Sequence, residues 1–353
     1  MNFMSDNVSG AAPEILAALG EASAAGPMPS YGADPVTARL HDRMTALFGT
    51  PVTVFPVATG TAANALALSA LTPPYGAVYC HAEAHINVDE CGAPEMFTDG
   101  AKLIPLPGAQ GKLTPQGLAD ALARAPVGFV HAVQPAALSL TQATEAGTVY
   151  TPDEVAALCA VAKRHGLKVH MDGARFANAV ASLGCDPAEV TWRAGVDVLS
   201  FGATKNGALA AEAVVFFDRA LAESFGYRRK RAGHLFSKMR FLSAQLDACL
   251  ADGLWLRLAG HANAMAQMLG AGLAALPGAA LRAPVEANEV FVELPETVTE
   301  GLLERGFQFY RWDGAVVRLV TAWNTRAEDV AALVAAAREL ASGTPAGGSE
   351  KKA

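Results

Sequence analysis

Apolar and polar positions along the chain fall into short β-branched runs separated by longer helical stretches. Residues 52–57, 78–80, 127–133, 168–172 and 196–201 read as strands. Helical patterns lie between them. One opens at Pro13-Glu14, one runs through Leu40, Met44 and Leu47, an Ala/Leu-rich one reaches about Leu71, one starts at Thr114-Pro115, and one spans 176–183. Thr151-Pro152-Asp-Glu154 reads as a capping box with proline at the first helical position, closed by Gly166. Strand and helix alternating from residue 52 onward predict an α/β fold with a mostly parallel sheet and crossover helices, whose ligands sit at the carboxyl ends of the strands. A long helical stretch from Leu242 to about Leu276 then leads to strand-like 290–294 and 316–320 and to a closing helix opened by Thr325-x-x-Glu328. The expected division is a large domain with an N-terminal arm over 1–240, a small α+β domain over 241–342, and a disordered Gly/Ser/Lys tail over 343–353.

Composition supports a folded, acidic protein. Of 353 residues, 52% are hydrophobic and 17% charged, enough for a large core, and the net charge of −7 leaves no electrostatic footprint for nucleic acid. The one basic run, Arg228-Arg-Lys-Arg231, suits a helix end or an anion-binding corner. Five scattered cysteines without a C-x-x-C pair read as free thiols in a reducing cytoplasm. No signal-peptide pattern precedes the first helix. The weakly charged region 51–85 is interrupted by Pro73-Pro74, Gly60 and Gly76, so no membrane span is expected.

The chemistry concentrates at strand ends. The run 196–201 leads through small residues to a single lysine, Lys205, and 168–172 ends on Asp172. A lysine and a carboxylate at neighbouring strand ends suit pyridoxal 5′-phosphate (PLP): the amine forms the Schiff base, and the carboxylate keeps the pyridine nitrogen protonated. Apolar flanks on both sides of Lys205 argue for a part-buried amine. Thr59-Gly60-Thr61, between a strand and a helix, forms a phosphate cup of free N–H groups, hydroxyls and the positive end of the helix dipole. It matches neither a Walker A loop nor G-x-G-x-x-G. His81 and His85, four apart, lack a third ligand for a metal, so none is expected.

With these residues in place, the chain resembles the low-specificity L-threonine aldolases, in the beta-eliminating lyase/threonine aldolase branch of the fold type I (aspartate-aminotransferase-like) PLP superfamily. The resemblance covers roughly residues 3–335. It rests on Ser5-Asp6, Tyr31-Gly-x-Asp34-Pro, Thr59-Gly-Thr61-x-Ala-Asn64, Ala84-His85-Ile-x-x-x-Glu90-x-Gly-Ala, Asp172-Gly-Ala-Arg175-x-x-Asn178-Ala, Lys205 and Val317-Arg318-Leu-Val-Thr321. It implies that Lys205 carries PLP, Asp172 pairs with the pyridine nitrogen, Thr59, Gly60 and Thr61 hold the phosphate, and His85 stacks on the ring. Arg175 is implied near the cofactor oxygen and the substrate carboxylate, which Ser5 and Arg318 also bind. Tyr31 lines the site, and Arg231, with His234 and Arg240, approaches the phosphate, each from a neighbouring subunit. The chain departs from the family after 127–133, where Val133-Gln134-Pro135-Ala136 stands in place of Glu-Asn-Thr-His. A second active-site histidine is missing there, and Gln134 is expected to take part of its place beside the cofactor.

The implied activity is retro-aldol cleavage of L-threonine, L-allo-threonine and other L-β-hydroxy-α-amino acids, phenylserine included, to glycine and an aldehyde. Lys205, Asp172 and His85 are the catalytic residues, with His85 the candidate base and a held water the alternative. A cytoplasmic homodimer or dimer of dimers is expected. The rival readings are a PLP-dependent β-eliminating lyase or aminotransferase, a PLP-binding regulatory homologue, and a metal-dependent aldolase.

Overall fold

The computed structural model describes residues 1–343; the greater part of the expected tail, 344–353, lies outside the described residues. Two sheets organise it. The larger has strands β1 (Thr53–Val57), β2 (Gly76–His81), β3 (Lys102–Leu106), β4 (Gln134–Thr141), β5 (Lys168–Gly173), β6 (Val198–Gly202) and β7 (Glu212–Phe216), in the order β1-β7-β6-β5-β4-β2-β3. Only β7 runs antiparallel to its neighbours, so its first residue lies at the edge where β5 and β6 end. The smaller sheet is antiparallel, with β8 (Ala280–Leu281), β9 (Glu289–Glu293), β10 (Tyr310–Asp313) and β11 (Val316–Val320) in the order β10-β11-β9-β8.

Central strands covered on both faces read as unbroken apolar runs, and side-chain alternation sorts them between two layers. Val198 of β6 packs beneath the helix Gly60–Leu71 with Val57, Val78 and Phe216. Leu199 and Phe201 point to the opposite core with Val169, Met171, Phe176 and Trp255. The same alternation in β5 puts Val169 and Met171 in that core and leaves His170 and Asp172 on the face of the helix Gly60–Leu71. The capping box forms as read: Thr151 Oγ1 accepts from Glu154 N–H at 3.2 Å, and Glu154 Oε2 accepts from Thr151 N–H at 2.7 Å.

Three expectations give way. Residues 127–133 form no strand; Val127, Phe129 and Val130 are exposed, and the strand begins only at Gln134. The stretch 242–276 is two helices, Arg240–Leu250 and Leu254–Ala274, parted where Asp252 and Gly253 take positive φ. Leu254–Ala274 joins both cores, with Trp255 and Leu258 in the larger and Leu269 and Leu273 in the smaller. The closing helix spans Ala327–Ala341 with no side-chain cap, because Thr325 Oγ1 is taken by Ala322 N–H.

The N-terminal segment straps the two sheets together. Phe3 is buried among Leu269, Val292 and Leu319. Phe3 N–H donates to Gln308 at 2.7 Å, and Phe3 carbonyl accepts from Val320 N–H at 2.8 Å. Further along, Ala12 N–H donates to Gly207 carbonyl at 2.8 Å, two residues beyond Lys205.

Candidate active site

A cleft of about 390 Å³ opens at the carboxyl edge of the larger sheet. The turn after β1 brings Thr59, Gly60 and Thr61; the turn after β2 brings His85; β4 ends in Thr141; β5 ends in Asp172; and the short helical turn Thr204–Asn206 after β6 carries the half-buried Lys205. Parallel strands ending side by side gather residues more than a hundred positions apart.

Thr59 caps the helix Gly60–Leu71, its Oγ1 accepting from Ala62 N–H at 3.2 Å. The first N–H groups of that helix have no partner within it, and a Cβ on Gly60 would meet nothing within 4 Å, so an anion can approach the backbone there. Asp172 is buried; its Oδ1 accepts from Ala174 N–H and its Oδ2 from Asn64 Nδ2, at 2.9 and 2.8 Å. The same Nδ2 donates to Glu90 Oε1 at 2.8 Å, which also meets His85 Nδ1 at 2.9 Å. That bond, outweighing burial, raises the His85 pKa, while burial raises that of Glu90. Beneath Asp172, His170 lies between the Ser139 and Ser200 hydroxyls, 2.9 Å from each, and burial pushes it down to about 4, so it stays neutral.

Two further carboxyls in the cleft were not singled out from the sequence. Glu145 accepts from His85 N–H at 2.8 Å and Thr141 Oγ1 at 2.9 Å through Oε1, while its buried Oε2 has no partner; burial, aided by Asp172, lifts it to about 7. Glu212, the first residue of β7, accepts from Ala203 N–H at 3.1 Å and is likewise lifted to about 7 by burial. The available signal was a lone acid inside an apolar run, Ala211-Glu212-Ala213-Val214.

Arg175 lies at the cleft wall between two buried acids. Its Nε donates to Asp6 Oδ2 at 2.8 Å, and its Nη1 lies 3.2 Å from Glu289 Oε2. Burial alone would lower the Arg175 pKa, but Asp6 and Glu289 hold it above its ordinary value. Burial would likewise raise Asp6, yet Arg175 and Lys205, with hydrogen bonds from Arg175 and Asn288, bring it to about 2. Arg318 of β11 reaches the other oxygen of Glu289, its Nη2 at 2.6 Å, and sits over the rings of Phe291 and Trp312.

Of the residues expected at the site, Thr59, Gly60, Thr61, His85, Asp172, Arg175 and Lys205 line the cleft. Arg318 lies behind Arg175, joined to it through Glu289. Ser5 caps the 3₁₀ turn Asp6–Val8 and lines a separate cavity of about 260 Å³; Asn7 faces the cleft instead. Tyr31, with φ 58°, is exposed, with Lys230 over its ring. Arg231 is exposed at the end of the helix Phe225–Arg231, whereas His234 Nδ1 accepts from Ala58 N–H at 3.3 Å. Gln134 is a correction: it begins β4, at the edge opposite the cleft, and its amide ties down the loop 126–132. The loop that follows the true end of β4, Thr141–Glu145, also contains no histidine; Glu145 occupies it. His81 and His85 diverge, with His81 Nε2 on Gly108 carbonyl and His85 on Glu90.

The lysine amine, the buried carboxylate and the open helix N-terminus match the aldehyde, pyridine nitrogen and phosphate of PLP, so the residues fit that group. The beta-eliminating lyase family model matches residues 2–297. A low specificity L-threonine aldolase of Pseudomonas aeruginosa is 51% identical over 330 residues, 93% of this chain and 94% of that protein. Another, of Pseudomonas sp. strain NCIMB 10558, is 49% identical over 342 residues, 96% of this chain and 98% of that one. The solved structure of Leishmania major threonine aldolase superposes with a TM-score of 0.91 at 30% identity, covering 96% of this chain and 99% of that one. The chain belongs to the beta-eliminating lyase family, among its low-specificity L-threonine aldolases.

Proposed function

We propose that the cleft holds PLP and cleaves L-threonine and related L-β-hydroxy-α-amino acids to glycine and an aldehyde. The observation that carries this reading is the convergence of Lys205, Asp172 and the N-terminus of the helix Gly60–Leu71 on one cleft. Lys205 carries the cofactor covalently, Asp172 faces the pyridine nitrogen, Thr59, Gly60 and Thr61 hold the phosphate, and His85 covers the ring. Bound there, PLP supplies an electron sink for the pair released when Cα–Cβ breaks.

The chain's own part is orientation and proton handling. Arg175, held by Asp6 and Glu289, presents its guanidinium group to the substrate carboxylate; Arg318, on the other oxygen of Glu289, adds its charge from behind, and Ser5 lies at the start of the same strap. Holding the carboxylate there sets which bond to Cα stands across the ring, the alignment that cleavage requires. His85 is the group placed to take the β-hydroxyl proton. Tyr31 and Arg231 stand outside this chain's own cleft, which supports a homodimer or dimer of dimers in which a second copy supplies them. No helix among the described residues is long and apolar enough to cross a membrane, and the five cysteines are unpaired, in keeping with work in the cytoplasm.

The test is to purify the protein with PLP, record its visible absorption, add L-threonine and quantify acetaldehyde and glycine. Visible absorption with both products is expected, and Lys205→Ala should lose all three. Keto acid or ammonia in place of glycine would move the assignment to an aminotransferase or a β-eliminating lyase.

A further inference from the structure

His85, Glu90, Asn64 and Asp172 form one continuous chain of hydrogen bonds, each 2.8 or 2.9 Å long. A single amide nitrogen faces both carboxylates, so Asn64 spends its two hydrogens on Glu90 Oε1 and Asp172 Oδ2. Glu90 is buried, and its Oε1, already receiving one hydrogen from Asn64, is set to act as an acceptor towards His85 as well. With Nδ1 turned to that buried oxygen, Nε2 is the ring nitrogen left for the cleft, which His85 lines.

We infer that Glu90, held by Asn64, is a positioning residue that keeps the His85 proton on Nδ1 and leaves Nε2 as acceptor for the substrate's β-hydroxyl proton. The Asn64 amide ties this acceptor to Asp172, so the group beneath the pyridine nitrogen and the group above the ring are set together. The inference rests on the cleavage reading. As Cα–Cβ breaks, the hydroxyl proton passes to Nε2, the O–H electron pair becomes the second bond of the aldehyde carbonyl, and the Cα–Cβ pair stays with the glycine fragment. That fragment takes up a proton at Cα, and the imidazolium returns its own to solvent. A carboxylate that orients a histidine and strengthens it as a base is a recurring arrangement, and losing such a partner costs roughly 10- to 100-fold.

The charged groups facing His85 are Glu90 beyond its own short helix, Asp172 from the end of β5 and Lys205 from the turn after β6; Glu145 holds its backbone N–H. Removing the Glu90 charge by Glu90→Gln therefore lowers the imidazole pKa. The experiment follows His85 by NMR in cofactor-free protein, wild type against Glu90→Gln, and measures kcat and kcat/KM against pH in the PLP-loaded forms. The His85 titration is expected at lower pH in the variant, with the acid limb of kcat/KM displaced the same way, kcat reduced roughly 10- to 100-fold and KM little changed. An unmoved titration overturns the role of Glu90. A titration that moves while the limb stays overturns His85 as the acceptor. Should Glu90→Gln fail to fold, nitrogen-15 shifts of His85 in the wild type decide: a neutral ring protonated on Nδ1 supports the inference, and one protonated on Nε2 overturns it. A wild type that neither binds PLP nor releases aldehyde overturns the cleavage reading itself, whatever the NMR shows.

Discussion

Replacing Glu145 by glutamine tests the electrostatics of the cleft in the cofactor-free protein, where no chemistry intervenes. Glutamine keeps the acceptor for His85 N–H and Thr141 Oγ1 and mimics the protonated acid, whose second oxygen has no partner to lose. In the unfolded chain Glu145 releases its proton near 4.5; in the fold, chiefly because it is buried, it holds it to about 7. Between those values the native state binds the extra proton, so wild-type stability falls as pH rises. At about 1.4 kcal/mol per pH unit the interval is worth roughly 3 kcal/mol, fully present below 4.5 and lost above 7. Urea unfolding at pH 5 and pH 8.5 reads it out. Glu145→Gln should exceed wild type by only about 1 kcal/mol at pH 5 and by about 3 kcal/mol at pH 8.5. Glu212, also lifted by burial, is common to both proteins and cancels in the difference. An equal gap at both pH values, or a variant less stable than wild type at pH 8.5, would refute the buried-acid argument.

Two other substitutions probe the strand ends. Asp172→Asn keeps an acceptor for Ala174 N–H but turns an amide N–H towards Asn64 Nδ2, and should lower kcat for threonine roughly 100- to 1,000-fold by removing the charge set against the pyridine nitrogen; near-wild-type turnover would sink that assignment. Gly202→Ala puts a Cβ within 2.5–2.8 Å of the backbone of Ala174, which cannot swing aside as a side chain would. It should cost about 1–3 kcal/mol and lower the thermal midpoint, and an unchanged midpoint would count against the close approach of β5 and β6.

Much of the cleft was legible because it is built from local signals at strand ends. Lys205, Asp172 and Thr59-Gly60-Thr61 each follow an apolar run and sit beside small residues, a pattern visible within ten positions. Gln134 was misplaced for the same reason: 127–133 alternates and is rich in valine, but Pro126 and Gly128 turn it into an exposed loop. The strand that follows begins Gln134-Pro135-Ala136-Ala137, small and proline-marked residues that mimic a turn. Its carboxyl end, and with it Glu145, therefore went unseen. Asp6, Arg175, Glu289 and Arg318 escaped as a unit because their pairing joins segments up to some three hundred positions apart, and no periodicity records such contacts. Similarly, Thr325-x-x-Glu328 had the letters of a cap, but Thr325 turned to Ala322 instead.

The N-terminal strap also sets an order of assembly. Residues 1–12 are made before the strands they pack against, so Phe3 must wait for Gln308 and Val320, and Asp6 for Asn288. The larger sheet has all its strands by residue 216, so it can form while the strap still hangs free. Until the last strand arrives, Arg175 faces the opening without Asp6 or Glu289 in place, and Gly207 lacks the tether from Ala12 that steadies the Lys205 turn. At that stage the Lys205 turn is in place while the acids that hold Arg175 are not. The wall around Arg175 is complete only when the strap 1–12 has met the smaller sheet.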